Sequence, residues 1–170
     1  MLSCTAGCGA PQKGRPSPAS GSSAEKLPAQ ESWDITIEFS DAGRKDAVLR
    51  AGHASEYHQD SKKELLIDHG INVTMFDKNG GAPTVMTAGR GVMHDNQDIE
   101  AFDNVVIRSG DGTVIRTEHI VRTSSDKMLR SERFVTITKP SQTIRGYGFE
   151  SDDAMKRYRI FQASGEAVSK

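Results

Sequence analysis

The sequence predicts an all-β protein made of stacked antiparallel hairpins, preceded by a disordered N-terminal tether. Three observations predict it. Apolar and polar residues alternate from Trp33 onward, as Ile35, Ile37 and Phe39 do against Thr36, Glu38 and Ser40, which is the period of a strand with one buried face. A motif of alternating apolar residues followed by a turn recurs about every 30 residues, and a fixed period in that range marks units that bury their apolar face only by stacking on neighbours. Residues 1–32 carry Gly, Pro, Ser and Ala throughout and no aromatic residue, so they bury too little apolar surface to offset the entropy of ordering them.

The repeats align by eye. Ile71-Asn72-Val73-Thr74-Met75-Phe76-Asp77-Lys78-Asn79-Gly80 lies against Asn104-Val105-Val106-Ile107-Arg108-Ser109-Gly110-Asp111-Gly112, and both lie against Phe134-Val135-Thr136-Ile137-Thr138-Lys139-Pro140-Ser141. Val73, Val105 and Val135 are 32 and then 30 positions apart. Ile35 to Gly43 is a fainter first unit.

Taken in order, strands are expected near 33–40, 46–51, 54–58, 64–76, 83–88, 91–95, 98–108, 113–123, 127–138, 142–149 and 155–163. Asp41-Ala42-Gly43, Lys78-Asn79-Gly80-Gly81 and Asp111-Gly112 supply the positive-φ residues that tight hairpins need. Polar clusters at Asp95–Asp98 and Ser124–Lys127 mark further turns. Ser61–His69 competes as two helical turns, but it is short and runs straight into Gly70. Gly146 and Gly148 flank Tyr147 inside an expected strand, where a bend, a bulge or a close backbone neighbour would account for them; the bend is preferred.

An apolar fraction of 35% leaves little for a thick core and favours a thin, extended sheet. A net charge of −1 argues against nucleic-acid binding. The charge is uneven: residues 33–112 hold 8 Lys and Arg against 14 Asp and Glu, while residues 113–170 hold 11 against 7. That is either a solvated mixed surface or a sign that the two ends meet different partners, the basic end lying near an anionic ligand.

Both cysteines, Cys4 and Cys8, fall in the tether. With no second pair or nearby His they make a poor zinc site. Thr5-Ala6-Gly7-Cys8 has the small residues of a bacterial lipoprotein cleavage box, with Cys8 as the candidate lipidation site, although Met1–Cys4 lacks a basic region and an apolar run. No apolar run approaches the roughly 18 residues of a membrane-spanning helix.

The chain offers no catalytic constellation. His53 and His58 are an odd number apart, hence on opposite faces of a strand, and with His69, His94 and His119 are expected at the surface or in an interface. Gly89-Arg90-Gly91 lacks the third glycine of a nucleotide fingerprint. Asp77-Lys78-Asn79-Gly80-Gly81 has its glycine too early for a calcium loop and no closing Glu. No cofactor and no metal are expected.

Taken together, Thr87-Ala88, Ile99-Glu100-Ala101-Phe102-Asp103-Asn104-Val105-Val106-Ile107, Gly112-Thr113-Val114-Ile115-Arg116-Thr117 and Ile144-Arg145-Gly146-Tyr147-Gly148-Phe149-Glu150-Ser151-Asp152 resemble the LptC family of the lipopolysaccharide export system over residues 33–163. Asp103 stands where the family often has Gly, and the N-terminal membrane helix of many members has no counterpart here. The resemblance implies an open, twisted β-jelly roll of about 11 to 16 strands over residues 33–165, periplasmic and tethered to the inner membrane through its N-terminus. It implies a non-catalytic carrier that takes lipopolysaccharide from the inner-membrane ABC transporter and passes it toward the outer membrane.

On that reading Ile37, Phe39, Val73, Met75, Val105, Ile107, Val135, Ile137, Phe149 and Ile160 line the lipid-binding interior. Edge strands carrying Ile35, Ile37 and Phe39 at one end, and Tyr158 and Ile160 at the other, would pair with the transporter's periplasmic domains and with an LptA-like bridge protein. Two alternatives stay open: a soluble LptA-like bridge component, and a structural or glycan-binding β-solenoid lipoprotein. For the latter, 6 Phe, 3 Tyr and 1 Trp are few for sugar stacking.

Overall fold

The computed structural model describes residues 27–59, 62–153, 155 and 157–167. Cys4, Cys8 and most of the expected tether lie outside them. Among the described residues eleven strands make one antiparallel sheet: β1 (Gln30–Asp41), β2 (Arg44–Gln59), β3 (Lys62–Met75), β4 (Thr84–Ala88), β5 (Arg90–His94), β6 (Ile99–Arg108), β7 (Val114–Arg122), β8 (Met128–Lys139), β9 (Gln142–Asp152), β10 (Tyr158–Ile160) and β11 (Ser164–Ala167). No helix among the described residues is long and apolar enough to cross a membrane. Of the Ser61–His69 stretch Ser61 lies outside the described residues, and Lys62–His69 is strand, the buried apolar residues of β3 lying on one face as it pairs with β2, β4 and β5.

Neighbours in sequence are neighbours in the sheet, as the hairpin reading requires, with two exceptions. β4 and β5 share one slot between β3 and β6, β4 pairing with Ile71–Met75 and β5 with Glu64–Ile67. At the far edge β10 and β11 share the slot beyond β9, pairing with Phe149–Ser151 and Gln142–Arg145. The strand expected over 155–163 is confined to Tyr158–Ile160, and β11, which was not expected, follows after Gln162 takes φ 47°. The two strands expected at 46–51 and 54–58 are one, β2, which passes through an irregularity at Gly52 without ending. β1 begins at Gln30, so Gln30–Ser32 belong to the sheet.

A crease crosses every long strand at the same level. Asp34, His69, Gly70, Asp103, Asn104 and Gly148 have positive φ. The ladders shift register between Ala51 and His53, between Phe102 and Val105, between Arg116 and Val121 and between Ser131 and Phe134. Bulges and left-handed residues bend a strand, and lined up across neighbours they fold the sheet upon itself. Gly148 at φ 79° makes the expected bend. Gly146 answers to a close neighbour instead: a Cβ there would fall 2.6 Å from Ile160 Cγ2 and 2.9 Å from the Phe161 carbonyl oxygen.

The halves enclose one apolar core. Ile107, Ile115 and Ile137 stand in one cross-strand row, each 1% exposed or less, with Val105, Val135 and Phe149 beside them. Burial of such a side chain is worth about 1.5–3 kcal/mol. Where polar side chains enter the crease they are paired, as Thr117 Oγ1 is with Ser131 Oγ at 3.1 Å. This is an open, twisted β-jelly roll.

Candidate functional site

Folding at the crease brings the two ends of the strands face to face, and between them lies a cavity of about 800 Å³. That is near the top of the roughly 300–1,000 Å³ range of ligand pockets. One wall comes from the hairpin-tip side of the crease: Phe39, Leu49, Val73, Met75 and Met86. The other comes from beyond it: Ile99, Ala101, Ile120, Leu129 and Met155, with Tyr158 from β10.

All ten residues nominated for the interior pack in or against the single core cluster, so the sequence pattern puts them on one face. They divide within it. Phe39, Val73 and Met75 line the cavity. Val105, Ile107, Val135, Ile137 and Phe149 are 0–1% exposed and close the core near the crease. Ile37 and Ile160 pack against the cluster from the two edges. Leu49, Met86, Ile120, Leu129 and Met155 were missed. Alternation identifies the inward face of a strand but does not reveal how far from the crease a residue sits.

Charged side chains rim the cavity. Asp41 Oδ2, at the tip of the first hairpin, is 3.3 Å from Lys78 Nζ and 3.5 Å from Lys127 Nζ. The Lys78 hydrogen bond, with Lys127 adding to it, holds the Asp41 carboxyl below the usual carboxylate range. Arg122 forks onto Asp153 with Nε–Oδ1 at 3.1 Å and a second bond at 2.8 Å. Lys139 Nζ sits 4.9 Å from the centre of the Tyr158 ring, and the Tyr158 hydroxyl raises its pKa. An apolar cavity under a charged rim suits an amphiphile with its tails inside.

The nominated edge residues stand on the terminal strands of the sheet, Ile35, Ile37 and Phe39 on β1 and Tyr158 and Ile160 on β10. β11 shares the second edge.

The histidines lie away from the cavity. His53 Nδ1 is 2.8 Å from Asp68 Oδ1. On the outer face Glu100 bridges two others, with Oε1 2.9 Å from His94 Nε2 and Oε2 2.9 Å from His119 Nε2. Burial pushes the Glu100 carboxyl up, but the His119 and His94 bonds outweigh it and hold it low. Burial likewise opposes charge on His94, and Glu100 with Glu64 outweighs it and raises that pKa. Among the described residues no group of three or more His, Cys, Asp or Glu has the geometry to hold a metal ion.

No curated protein matches the chain. The family described as "Lipopolysaccharide-assembly, LptC-related", whose members are non-enzymatic components of lipopolysaccharide transport, matches residues 34–163. With a match over most of its length, on a β-jelly roll built around an apolar cavity, the chain belongs to the LptC family.

Proposed function

We propose that this chain is a periplasmic carrier that accepts lipopolysaccharide from the inner-membrane ABC transporter and hands it to the next β-jelly roll of a bridge. The observation that carries the reading is the cavity between the folded halves, apolar on both walls and charged at its rim. A methylene in water costs about 0.8 kcal/mol, so an acyl chain of about a dozen carbons would cost roughly 10 kcal/mol to expose. Troughs joined end to end remove that cost along the whole path.

The joints are the open edges. Edge strands normally carry protection against association, and strand addition turns that liability into a connection in register. β1 takes the transporter's periplasmic domains and the β10–β11 edge takes an LptA-like bridge protein. The segment before β1 serves as a tether, with Cys8 the lipid attachment point that holds the domain at the inner membrane.

Photocrosslinkers at Met75 and Ile120, on opposite walls of the cavity, test the reading in cells that make lipopolysaccharide. Adducts at both positions that depend on transporter activity are expected. A folded domain with no adduct at either position would overturn the assignment.

A further inference from the structure

The sheet has a second face, and on its C-terminal half that face carries three exposed arginines. Ile107, Ile115, Val135 and Ile137 point into the core, so Arg108, Arg116, Phe134 and Thr136, their immediate neighbours in the strands, point out. Register places Arg116, Thr136 and Arg145 in one straight row across β7, β8 and β9. Phe134 and Tyr147 are paired one step toward the crease, and Arg108 lies one step toward the hairpin tips.

Arg108, Arg116 and Arg145 are exposed, and among the described residues none of their guanidinium groups has an ion pair or hydrogen bond. Several basic side chains elsewhere on the surface are matched, as Lys45 is with Glu38, Lys63 with Glu56 and Arg130 with both Asp126 and Glu150. The nearest outward carboxylate on β7, Glu118, accepts the Asn104 backbone N–H at 3.2 Å. The row through Arg116 and Arg145 runs from Thr36 to Ser164 without an Asp or Glu. Beside it Phe134 and Tyr147 are 46% and 57% exposed, their rings 5.2 Å apart and edge to face.

We propose that the outer face of β6–β9 docks on an anionic phospholipid surface, with Arg108, Arg116 and Arg145 on the phosphates and the Phe134–Tyr147 pair in the headgroup layer. Arginines spread over several strands match a continuous layer of phosphates better than a point charge. Exposed aromatic rings beside them are the side chains that settle at a membrane–water boundary. Each basic residue near an anionic leaflet multiplies partitioning by about fivefold, so three give about a hundredfold. The face is the reverse of the one that holds the cavity, so docking leaves the cavity and both edges free.

The test is sedimentation of the full chain with phosphatidylcholine vesicles, with and without phosphatidylglycerol. Binding only to the phosphatidylglycerol vesicles, weakened by salt, is expected. The triple variant Arg108→Gln, Arg116→Gln, Arg145→Gln should lose about a hundredfold, while the corresponding triple Arg→Lys variant, which keeps the charge, should retain binding. Equal binding to both vesicle types, full binding by the Gln variant, or no vesicle binding alongside capture by a soluble acidic protein would overturn the proposal.

Discussion

Lys127 Nζ lies 3.5 Å from Asp41 Oδ2 although the two residues are 86 positions apart. Asp41 ends β1 and Lys127 sits in the β7–β8 turn, so the pair spans the gap between the folded halves on the side opposite the crease. Lys78, from the turn after β3, reaches the same oxygen. The trough is therefore strapped at its rim by side chains from three hairpins.

Breaking this strap should open the rim without unfolding the sheet. All three side chains are about half exposed, where ion pairs contribute little to stability. Asp41→Asn should leave the melting temperature nearly unchanged and broaden the distance distribution between spin labels at positions 42 and 126. The carboxyl's lowered pKa means the strap is present above the unfolded value and is lost as pH falls through the lower folded one. Wild type should therefore match the Asn variant only in strong acid. An identical distribution in both proteins at neutral pH would show that the bridge restrains nothing.

Packing and ligand contact should separate along the inner face. Ile137 is 0% exposed, so Ile137→Ala should cost about 2–5 kcal/mol in urea unfolding. Phe39, only partly buried at the cavity wall, should cost less on the same scale when changed to Ala and more in lipid crosslinking. Equal stability losses would mean that the cavity wall is as tightly packed as the core beside the crease.

Two glycines of the crease should respond differently to alanine. Both Gly70 and Gly148 have positive φ, which costs a residue with a Cβ roughly 1–2 kcal/mol. A Cβ at Gly70 meets open space, whereas at Gly148 it falls 2.9 Å from Phe161 Cδ2. Gly148→Ala should be the more damaging in thermal melts, and its loss should include release of β10, seen as faster amide exchange at Phe161, whose N–H bonds the Gly148 carbonyl.

The Glu100 bridge predicts a pH window. Glu100's lowered pKa gives stability that is present above its unfolded value and lost as acid titrates the folded one; His94's raised pKa gives stability present below 6.5 and lost as pH rises through its higher folded value. His94→Gln should therefore be less stable than wild type in mild acid, by under about 1 kcal/mol for so exposed a cluster, with the difference closing in mild alkali. A gap that is constant across that range would assign the effect to packing.

Proline at Ile37 should block addition of a strand to β1 and abolish pull-down of the transporter's periplasmic domains. Proline at Arg159 should do the same for the bridge protein at the other edge. Retention of both partners by both variants would exclude strand addition as the mode of joining.

Much of this was legible from period alone. Ile35, Ile37 and Phe39, and Val105 with Ile107, announce strands and their inward face because side chains alternate with every residue. The turns at Asp41–Gly43 and Asp111–Gly112 were legible for the same local reason: Gly43 and Gly112 adopt the positive φ that a tight turn needs. The family resemblance was carried by short motifs whose order and spacing survive in the chain.

The crease was not legible. Asp103 and Asn104 read as ordinary polar residues inside the strand expected over 98–108, and His69 as a surface histidine, because a positive φ at one position bends only one strand. Their effect comes from alignment with Asp34, Gly70 and Gly148 on neighbouring strands, and register is a property of pairs of strands. The sequence by itself determined strand, turn, inward face and family, which depend on residues a few positions apart. Only the tertiary structure decided which inward residues seal the core and which face the cavity, that Asp41 meets Lys127, and that Arg108, Arg116 and Arg145 gather without a counter-charge, because each depends on where the fold brings distant segments together.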